Sequence, residues 1–536
     1  MRSNSLLLAA ALALAPFASQ AFDPGAVSAA YQMVIAGSSS SSTALRHVLI
    51  RDVCETGQPV DVLIHGGATP HFNVACRVGG QNVLFRKNEG GSGPGVVAVD
   101  GKSMLPFLNV GFAGCTASVS KQAGTKTYTE YSNCGSSTAA LANLVPDFAI
   151  SDVEPTAFTS ALAPSGASFL NVSPVTVQPI ASLGLGFVAT TDLYRALQAV
   201  RFPSTSDCNP DPAGGSDMTR PDPANPHLRI AGANGIKDSY ETLETDAGVA
   251  NNTANAPAAR HMRGDTQKCM PILSRDEVRS LLARDLTSGN SIWAGPNAAD
   301  TLASRTAGKD YAGIGNGAIS LCRRNSGSGV HAVTSMHFLS TNCGLGSVAV
   351  SAGSCSNSAL CSINSSESAN GVEACLNTHA ASNVWAVGYQ STEKNADLKS
   401  NYRFLKIDGV APTLAHTLDG NLGNFAELVA VRRSNVNDLV NVANAGFIGA
   451  ANGAWAAIVS QLSTATNVGN VDALPFVKQP FGAAGYAARG TPTFPPNAAA
   501  PINPLSHVRP GTSAQNTCAG PYSTPVGGGT GKGIAR

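Results

Sequence analysis

The chain has 536 residues, of which 13% are charged, and its formal net charge is +1. This length allows three domains of roughly 150 residues each, or two large lobes that carry insertions. With so little net charge the chain has no global field to attract nucleic acid or a membrane surface, so we expect neither as a partner. If an anion is bound, local geometry must hold it.

The N-terminal segment has the layout of a cleavable secretory signal. Arg2 is followed by an apolar run over residues 6–17 and then by small residues up to Ala21. We therefore expect residues 1–21 to be a signal peptide and the mature chain to be periplasmic or secreted. No later stretch is long and apolar enough to span a bilayer, and no cysteine follows the cleavage site as a lipid anchor would require.

Twelve cysteines in an exported chain indicate an oxidising compartment, and their even number allows complete pairing. The sequence does not fix the pairing, but it suggests as neighbours Cys54 with Cys76, Cys115 with Cys134, and Cys208 with Cys269. The chain contains no C-x-x-C pair and no H-E-x-x-H, which are the spacings typical of zinc and haem sites. We therefore expect no metal and no cofactor.

Short apolar runs alternate with Gly/Ser-rich turns and helical patterns over residues 31–190, which is typical of an α/β architecture. Two loop-rich insertions, 203–268 and 342–375, interrupt this pattern. The first contains Arg263-Gly264-Asp265, which is either an adhesion tripeptide or a triplet that arose by chance.

Regular structure is predicted again between and after the insertions. Ser274 and Glu277 form a capping box, so a helix should begin there. The apolar segments 384–389 and 402–407 are predicted strands, and Asp408-Gly409 is a predicted turn. From about residue 490 onward Pro, Gly, Ala and Thr dominate, which favours an extended tail.

Four segments combine small hydrogen-bonding residues with an adjacent strand or helix, and each could hold part of an anion. Loop one runs from an apolar strand through Ser38–Ser42 into a helical pattern, where free N–H groups would seat an anion; a flexible serine-rich linker is the alternative. Loop two, residues 85–96, presents Ser92 among glycines that allow close approach; a hairpin turn is the alternative.

The other two segments each add a charged side chain. In loop three, Asp152 follows the apolar strand 148–150, at the sheet edge where α/β proteins place ligands; a simple helix cap is the alternative. In loop four, residues 319–338, a strand delivers Arg324 and a Ser-Gly-Ser-Gly turn opens a helix whose first N–H groups would face the arginine's ligand. An unpaired surface arginine is the alternative reading.

The order of these loops resembles that of the phosphate-binding proteins of the bacterial ABC phosphate importer, in the type II periplasmic binding-protein superfamily. That family has a Gly-rich loop with Thr or Ser, then Gly-Ser-Ser-Gly-Gly, Asp-Phe-Gly-x-Ser-Asp and Arg-x-Asp-Gly-Ser-Gly-Thr segments. The residues that the resemblance implies as ligand-binding are Ser41, Ser42, Ser92, Asp152, Arg324, Ser328 and Gly329. Two positions depart from the family: Ser326 replaces an Asp, and Val330 replaces a hydroxyl donor.

The resemblance also implies a fold and a function. The fold is a two-lobed α/β type II periplasmic binding-protein fold with disulfide-rich insertions. Lobe 1 would comprise 22–185 and 385–489, lobe 2 would comprise 186–384 with both insertions, and 490–536 would form the tail. The function is that of an exported, monomeric solute-binding protein that captures phosphate or a similar tetrahedral oxyanion between its lobes. An ABC permease would be its partner, and no residue would be catalytic.

Two other classes of function compete with this one. A secreted hydrolase would need a G-x-S-x-G elbow, but Pro94 and Ser326 occupy required glycine positions around Ser92 and Ser328. His331 could be imagined as a base, yet its spacing places it on the helix after loop four. A secreted interaction protein that reuses the scaffold and binds a partner through its insertions is the other alternative, because a fold does not fix a function.

Overall fold

The structure is a computed structural model. It describes residues 21–26, 31–67, 71–153, 155, 158, 175–206, 208–210, 220–222, 225–230, 243–245, 260–262, 265–283, 301–309, 311–313, 319–339, 362–394, 400–413, 416–417, 422, 424–435, 445–463, 476–479, 482–488, 505–506 and 522–523. Residues 1–20 of the expected signal peptide and most of the expected tail lie outside these ranges.

The chain alternates strands and helices over most of its described length. The strands are β1 (Tyr31–Gly37), β2 (Asp61–Ile64), β3 (His71–Val78), β4 (Gln81–Asn88), β5 (Leu105–Leu108), β6 (Ala117–Ala123), β7 (Lys126–Ser132), β8 (Leu141–Leu144), β9 (Phe148–Ser151), β10 (Val175–Thr190), β11 (Arg220–Asp222), β12 (Asn225–Ile230), β13 (Leu243–Thr245), β14 (Arg260–Met262), β15 (Ile272–Leu273), β16 (Ile319–Arg324), β17 (Ile363–Ser366), β18 (Trp385–Ser391), β19 (Tyr402–Phe404), β20 (Lys406–Ile407), β21 (Phe425–Arg433), β22 (Phe476–Gln479), β23 (Gly482–Ala488), β24 (Leu505–Ser506) and β25 (Tyr522–Ser523).

The helices are α1 (Ser42–Val48), α2 (Ser92–Gly101), α3 (Thr191–Arg201), α4 (Arg275–Ala283), α5 (Leu302–Arg305), α6 (Gly329–Leu339), α7 (Ala369–Ala381) and α8 (Ala445–Ser463). Among the described residues, no helix has both the length and the apolar character needed to cross a membrane.

One large sheet organises the described part of the chain. Fifteen strands belong to it, and its main path runs β17-β16-β18-β10-β21-β9-β1-β4-β3-β2-β7-β6. Residues 33–37 of β1 are all buried, as expected for a strand whose two faces are both covered. The expected α/β architecture is therefore confirmed, and the division into two lobes stays a prediction.

The long strand β10 connects the two ends of the sheet. Its first part, from Val175 to Gly184, pairs antiparallel with β21, and its second part, from Leu185 to Ala189, pairs antiparallel with β18. Helices cover the sheet on both sides of this strand; Trp455 of α8, for example, stacks on Phe148 with ring centroids 4.4 Å apart. The hydrophobic core is thus continuous across β10, the strand that connects the two ends of the sheet.

The described cysteines form four disulfides. Three are the expected neighbours, Cys54–Cys76, Cys115–Cys134 and Cys208–Cys269. The fourth, Cys322–Cys375, joins β16 to α7 and was not anticipated from the sequence. The segment around Cys375 also corrects the expected insertion 342–375, because residues 363–366 are strand β17 and α7 begins at Ala369. Apolar side chains such as Val372 and Leu376 bury that helix against the sheet.

Several local predictions are confirmed. Ser274 and Glu277 exchange the hydrogen bonds of a capping box at the start of α4. Asp408 has a φ of 50°, as its position in a turn requires.

The adhesion interpretation of the Arg-Gly-Asp triplet is wrong, because Asp265 is buried and ion-paired with Arg403 at 3.0 Å. Arg263 and Gly264 lie outside the described residues.

Candidate functional site

Loops one, two and three meet at one edge of the sheet because their strands are neighbours. Strand β1 pairs in parallel with both β4 and β9. The carboxyl ends of parallel strands lie at the same edge, where α/β proteins place ligands. Ser38 follows β1, Glu89 follows β4 and Asp152 follows β9, and all three are buried.

The Asp152 carboxylate joins these loops through serine hydroxyls. Its Oδ1 accepts hydrogen bonds from Ser38 Oγ at 2.5 Å and Ser40 Oγ at 2.7 Å, and its Oδ2 accepts one from Ser92 Oγ at 2.9 Å. An ionised carboxylate can only accept hydrogen bonds, and the three hydroxyls take three of its roughly four acceptor positions. Asp152 is therefore the acceptor around which loops one and two are arranged.

Helix α2 begins at this carboxylate. Gly91 precedes it with a φ of 106°, a left-handed conformation that glycine adopts without strain. Loop two is thus a strand–loop–helix connection, and its hairpin alternative is wrong. Gly95 of the first turn packs so tightly that a Cβ there would lie 2.4 Å from Gly37 Cα. The N-terminus of α2 consequently lies directly against loop one.

Loop four packs against loops two and three, beside the Asp152 carboxylate. The Gly93 N–H donates to the Gly327 carbonyl oxygen at 2.7 Å. Helix α6 then begins at Gly329, where a Cβ would lie 2.6 Å from both Ser92 Oγ and Asp152 Cβ. The start of α6 therefore touches loops two and three directly, and its first N–H groups, which have no acceptor within the helix, lie at the site.

Arg324 places a positive charge at the end of β16, near Asp152. It is 1% exposed, and its Nε and Nη2 donate to the carbonyl oxygens of Ser366 and Glu367. Among the described residues no carboxylate oxygen forms an ion pair with it. Burial lowers the pKa of this guanidinium, and the nearby negative charge of Asp152 opposes that shift. The surface-arginine alternative is wrong, since Arg324 is a buried cation at the end of β16.

Lys87 and Glu89 are buried charges that the sequence analysis did not single out. Lys87 Nζ donates to the carbonyl oxygens of Gly37, Ser38 and Asn88 at 2.5 to 3.2 Å. Burial lowers the pKa of Lys87 to about 8, and Glu89 and Asp152 oppose this. Burial raises the pKa of Glu89. Lys87 thereby ties the end of β1 to the end of β4 and holds loop one in place.

His331 lies on α6, as its spacing predicted, and it is bound to a tyrosine. Its Nδ1 lies 2.5 Å from the Tyr389 hydroxyl. Burial, together with the charges of Arg323 and Arg324, lowers the pKa of His331 to about 4. Burial also raises the pKa of Tyr389. The pair is therefore neutral near pH 7 and supports the cationic end of β16 without adding charge.

A cavity of about 720 Å³ opens beside Arg324. One wall comes from the segments near β3, β5 and loop two, and includes His71, Asn88 and Leu105. The other comes from the ends of β16 and β17 and includes Arg324 and Glu367. The cavity thus lies between the two ends of the long sheet and communicates with the buried arginine.

The structure brings together some of the sequence-predicted residues and separates others. Ser92, Asp152 and Gly329 are in mutual contact. Ser328 is buried and its Oγ accepts the His331 N–H, so it caps α6. Within loop one, Ser38 and Ser40 bind Asp152, whereas Ser41 Oγ donates to the Ser38 carbonyl and Ser42 begins α1. The five consecutive serines gave no signal that would distinguish these roles.

Comparisons with known proteins complete the description. No protein-family model matches the chain, and no curated protein matches it. Three solved structures are similar in part, each with 10% sequence identity. A Clostridium perfringens protein described as a phosphate ABC transporter substrate-binding protein, solved with bound phosphate, gives a TM-score of 0.33 over 78% of this chain and 91% of that one. An ABC-type phosphate transport receptor from Vibrio cholerae gives 0.30 over 80% and 97%. PstS from Borrelia burgdorferi gives 0.25 over 75% and 87%.

Proposed function

We propose that this chain is an exported solute-binding protein that captures phosphate or a similar tetrahedral oxyanion. One observation carries the proposal: among the described residues, the buried Arg324 guanidinium donates to carbonyl oxygens and forms no ion pair, and it lies near the Asp152 carboxylate, which contacts Ser92 and the start of α6. A buried charge without an ionic partner is costly, and an anion bound beside it would offset that cost. The charge and the donors therefore fit an anionic ligand.

The donors at this point suit a small oxyanion. Helices α2 and α6 both begin at this point, and each adds the positive end of its dipole. Ser328 adds a hydroxyl that accepts the His331 N–H and can turn its own proton towards a ligand. Arg324 can offer two parallel N–H groups to two oxygens of one ligand. A tetrahedral oxyanion presents oxygens in several directions and would engage these donors together.

Asp152 gives the site its selectivity. As an acceptor, it favours a ligand that still carries a proton over one that is fully ionised. Phosphate near neutral pH has such a proton and sulfate does not, so sulfate would place charge against charge inside a buried site. We therefore assign phosphate or arsenate as the preferred ligand class, delivered to an ABC permease partner.

Ligand entry requires the contacts between loop four and loops two and three to open. We infer that the part of the sheet ahead of β10 and β21 and the part built on β16 to β18 act as two lobes. Strand β10, which pairs with β21 in its first part and with β18 in its second, would be the connection about which they move. The Gly93–Gly327 hydrogen bond would then form only when the lobes are closed.

A thermal-melting experiment tests the proposal. A ligand that binds only the folded chain adds about 2.7 kcal/mol of stability at a hundredfold excess over its dissociation constant. We expect sodium phosphate to raise the melting temperature of the purified chain, and sodium chloride at equal ionic strength to leave it unchanged. Equal melting curves in both salts would contradict the proposal.

A further inference from the structure

The cavity beside Arg324 is far larger than an inorganic oxyanion. A tetrahedral oxyanion, with four oxygens each about the size of a water molecule, fills roughly 100 Å³. The cavity measures about 720 Å³, within the range of pockets that hold small organic molecules. Most of the space would remain empty around phosphate alone. The space is continuous with Arg324, so one ligand could occupy both.

The lining of the cavity indicates the chemistry of that ligand. Beyond Arg324, the charged side chains of its wall are Arg323 and Glu367, whose charges offset each other. The other positions combine neutral hydrogen-bonding side chains, among them Asn325, Ser137 and Ser365, with apolar ones such as Leu105 and Leu141. Burial lowers the pKa of His71 to about 3, so this imidazole is neutral near pH 7 as well. The wall therefore matches an uncharged group with several hydroxyls.

The cavity is also accessible and shared. Ser136, Ser137 and Thr138 form an exposed rim at the mouth of the cavity. One wall belongs to the part of the sheet that holds Asp152, and the other belongs to the part that holds Arg324. A ligand that fills the cavity would contact both parts at once, whereas a bare anion would contact them only at its own position.

We propose that the ligand is a phosphate monoester of a polyol, such as a sugar phosphate, whose phosphate lies at Arg324 and whose hydroxylated part fills the adjacent cavity. The inference rests on the proposed oxyanion site. The Arg324 guanidinium, the Ser328 hydroxyl and the start of α6 would bind the phosphate. The neutral hydroxyl, amide and imidazole groups of the wall would exchange hydrogen bonds with the polyol.

Calorimetric titrations with glucose 6-phosphate, orthophosphate and glucose at about pH 5.5 test this inference, because a phosphate monoester, whose second pKa is about 6, still carries there the proton that Asp152 would accept. We expect glucose 6-phosphate to bind at least about tenfold more tightly than orthophosphate, since each 1.4 kcal/mol gained in the cavity is a factor of ten. Glucose alone should not bind detectably. If orthophosphate binds and glucose 6-phosphate binds less tightly, the inference is wrong and the oxyanion site stands. If neither phosphate binds, both are wrong.

A cavity-blocking variant separates the two parts of the site. Ser137→Trp places a bulky side chain at the exposed rim, where folding does not depend on packing, and Ser118→Trp on the exposed face of β6 is its matched control. We expect Ser137→Trp to weaken glucose 6-phosphate binding about tenfold and to leave orthophosphate affinity unchanged. Equal affinity of both variants for glucose 6-phosphate would overturn the inference.

Discussion

Asp152 and Ser92 hydrogen-bond to each other in both directions. Ser92 Oγ donates to Asp152 Oδ2 at 2.9 Å and accepts the Asp152 backbone N–H at 3.0 Å. This reciprocal pair fixes the start of α2 to the end of β9, and Gly329 packs on both residues. The distances among the three parts of the candidate site are therefore set by one carboxylate and one hydroxyl.

Arg324→Ala should abolish or severely weaken phosphate binding. Loss of one partner from a desolvated, charge-assisted contact costs about 2 to 5 kcal/mol, or about thirtyfold or more in dissociation constant. The neighbouring variant Arg323→Ala is the control, since Arg323 is only half-buried and should change the affinity by about 1 kcal/mol at most. Calorimetry measures both, and circular dichroism checks the fold. Wild-type affinity in Arg324→Ala would refute the assigned cation.

Asp152→Asn should relax the preference for phosphate over sulfate. The amide can donate a hydrogen bond to a fully ionised oxygen, whereas the carboxylate repels it. The departure at Ser326, which adds no negative charge beside the arginine, means that the wild-type preference should be weaker than in a site with Asp there. A competition titration decides the matter: if sulfate displaces phosphate from the unmodified protein as well as arsenate does, Asp152 does not face the ligand.

Gly329→Ala should prevent loop four from closing on loops two and three. The added Cβ would lie 2.6 Å from Ser92 Oγ and from Asp152 Cβ, a distance that requires one of them to move. We expect phosphate affinity to fall by about tenfold or more, at about 1.4 kcal/mol per factor of ten. Gly449→Ala in α8 is the matched control, because a Cβ there meets nothing within 4 Å. Similar affinities for the two variants would contradict the packing described.

Removal of the Cys322–Cys375 disulfide should weaken both stability and binding. Cys322 lies two residues before Arg324 on β16, so the bond to α7 holds the strand that positions the guanidinium. The double variant Cys322→Ala/Cys375→Ala should lose about 2 to 5 kcal/mol of stability. The Cys115–Cys134 pair serves as the control, with a similar loss of stability and unchanged phosphate affinity.

Peptide mapping without reduction should also recover the Cys208–Cys269 link.

The contribution of His337 to the free energy of unfolding should fall as the pH drops from about 6.5 towards 3. Burial lowers the pKa of His337 from 6.5 to about 3, so between these values the unfolded chain binds more protons than the folded one. Stability therefore rises with pH across that window and is lost as the pH falls through it. His337→Gln should reduce the slope by up to about 1.4 kcal/mol per pH unit. Denaturant titrations at several pH values measure the slope, and equal slopes in His337→Gln and the unmodified protein would refute this role.

The sequence predicted local structure where a single segment contains all the residues that determine it. Loop four was predicted as strand, glycine turn and helix, and Gly327 and α6 occur in that order. The choice among the serines of loop one was not predictable, because it depends on Gly37, which has a φ of 108° and turns the chain towards Asp152. Lys87 was missed for a related reason: its three acceptors come from two strands, and only the pairing of β1 with β4 brings them together.

The Cys322–Cys375 bond likewise depends on tertiary packing that the sequence alone does not predict. Its two cysteines approach only because β16 pairs in parallel with β17 and α7 packs on that pair. Loop-like composition between residues 342 and 375 concealed a strand and a helix start, since Ser, Asn and Gly dominate β17 and the first turn of α7. Propensity argues against regular structure in such a segment, and tertiary packing overrides it.

Calorimetric titration of the purified chain with phosphate, arsenate and sulfate, at constant pH and ionic strength, tests the central claim most directly. We predict one bound phosphate per chain, competition by arsenate at comparable affinity and weaker competition by sulfate. Absence of binding heat for all three anions, together with unchanged melting curves, would contradict the oxyanion site at Arg324 and Asp152.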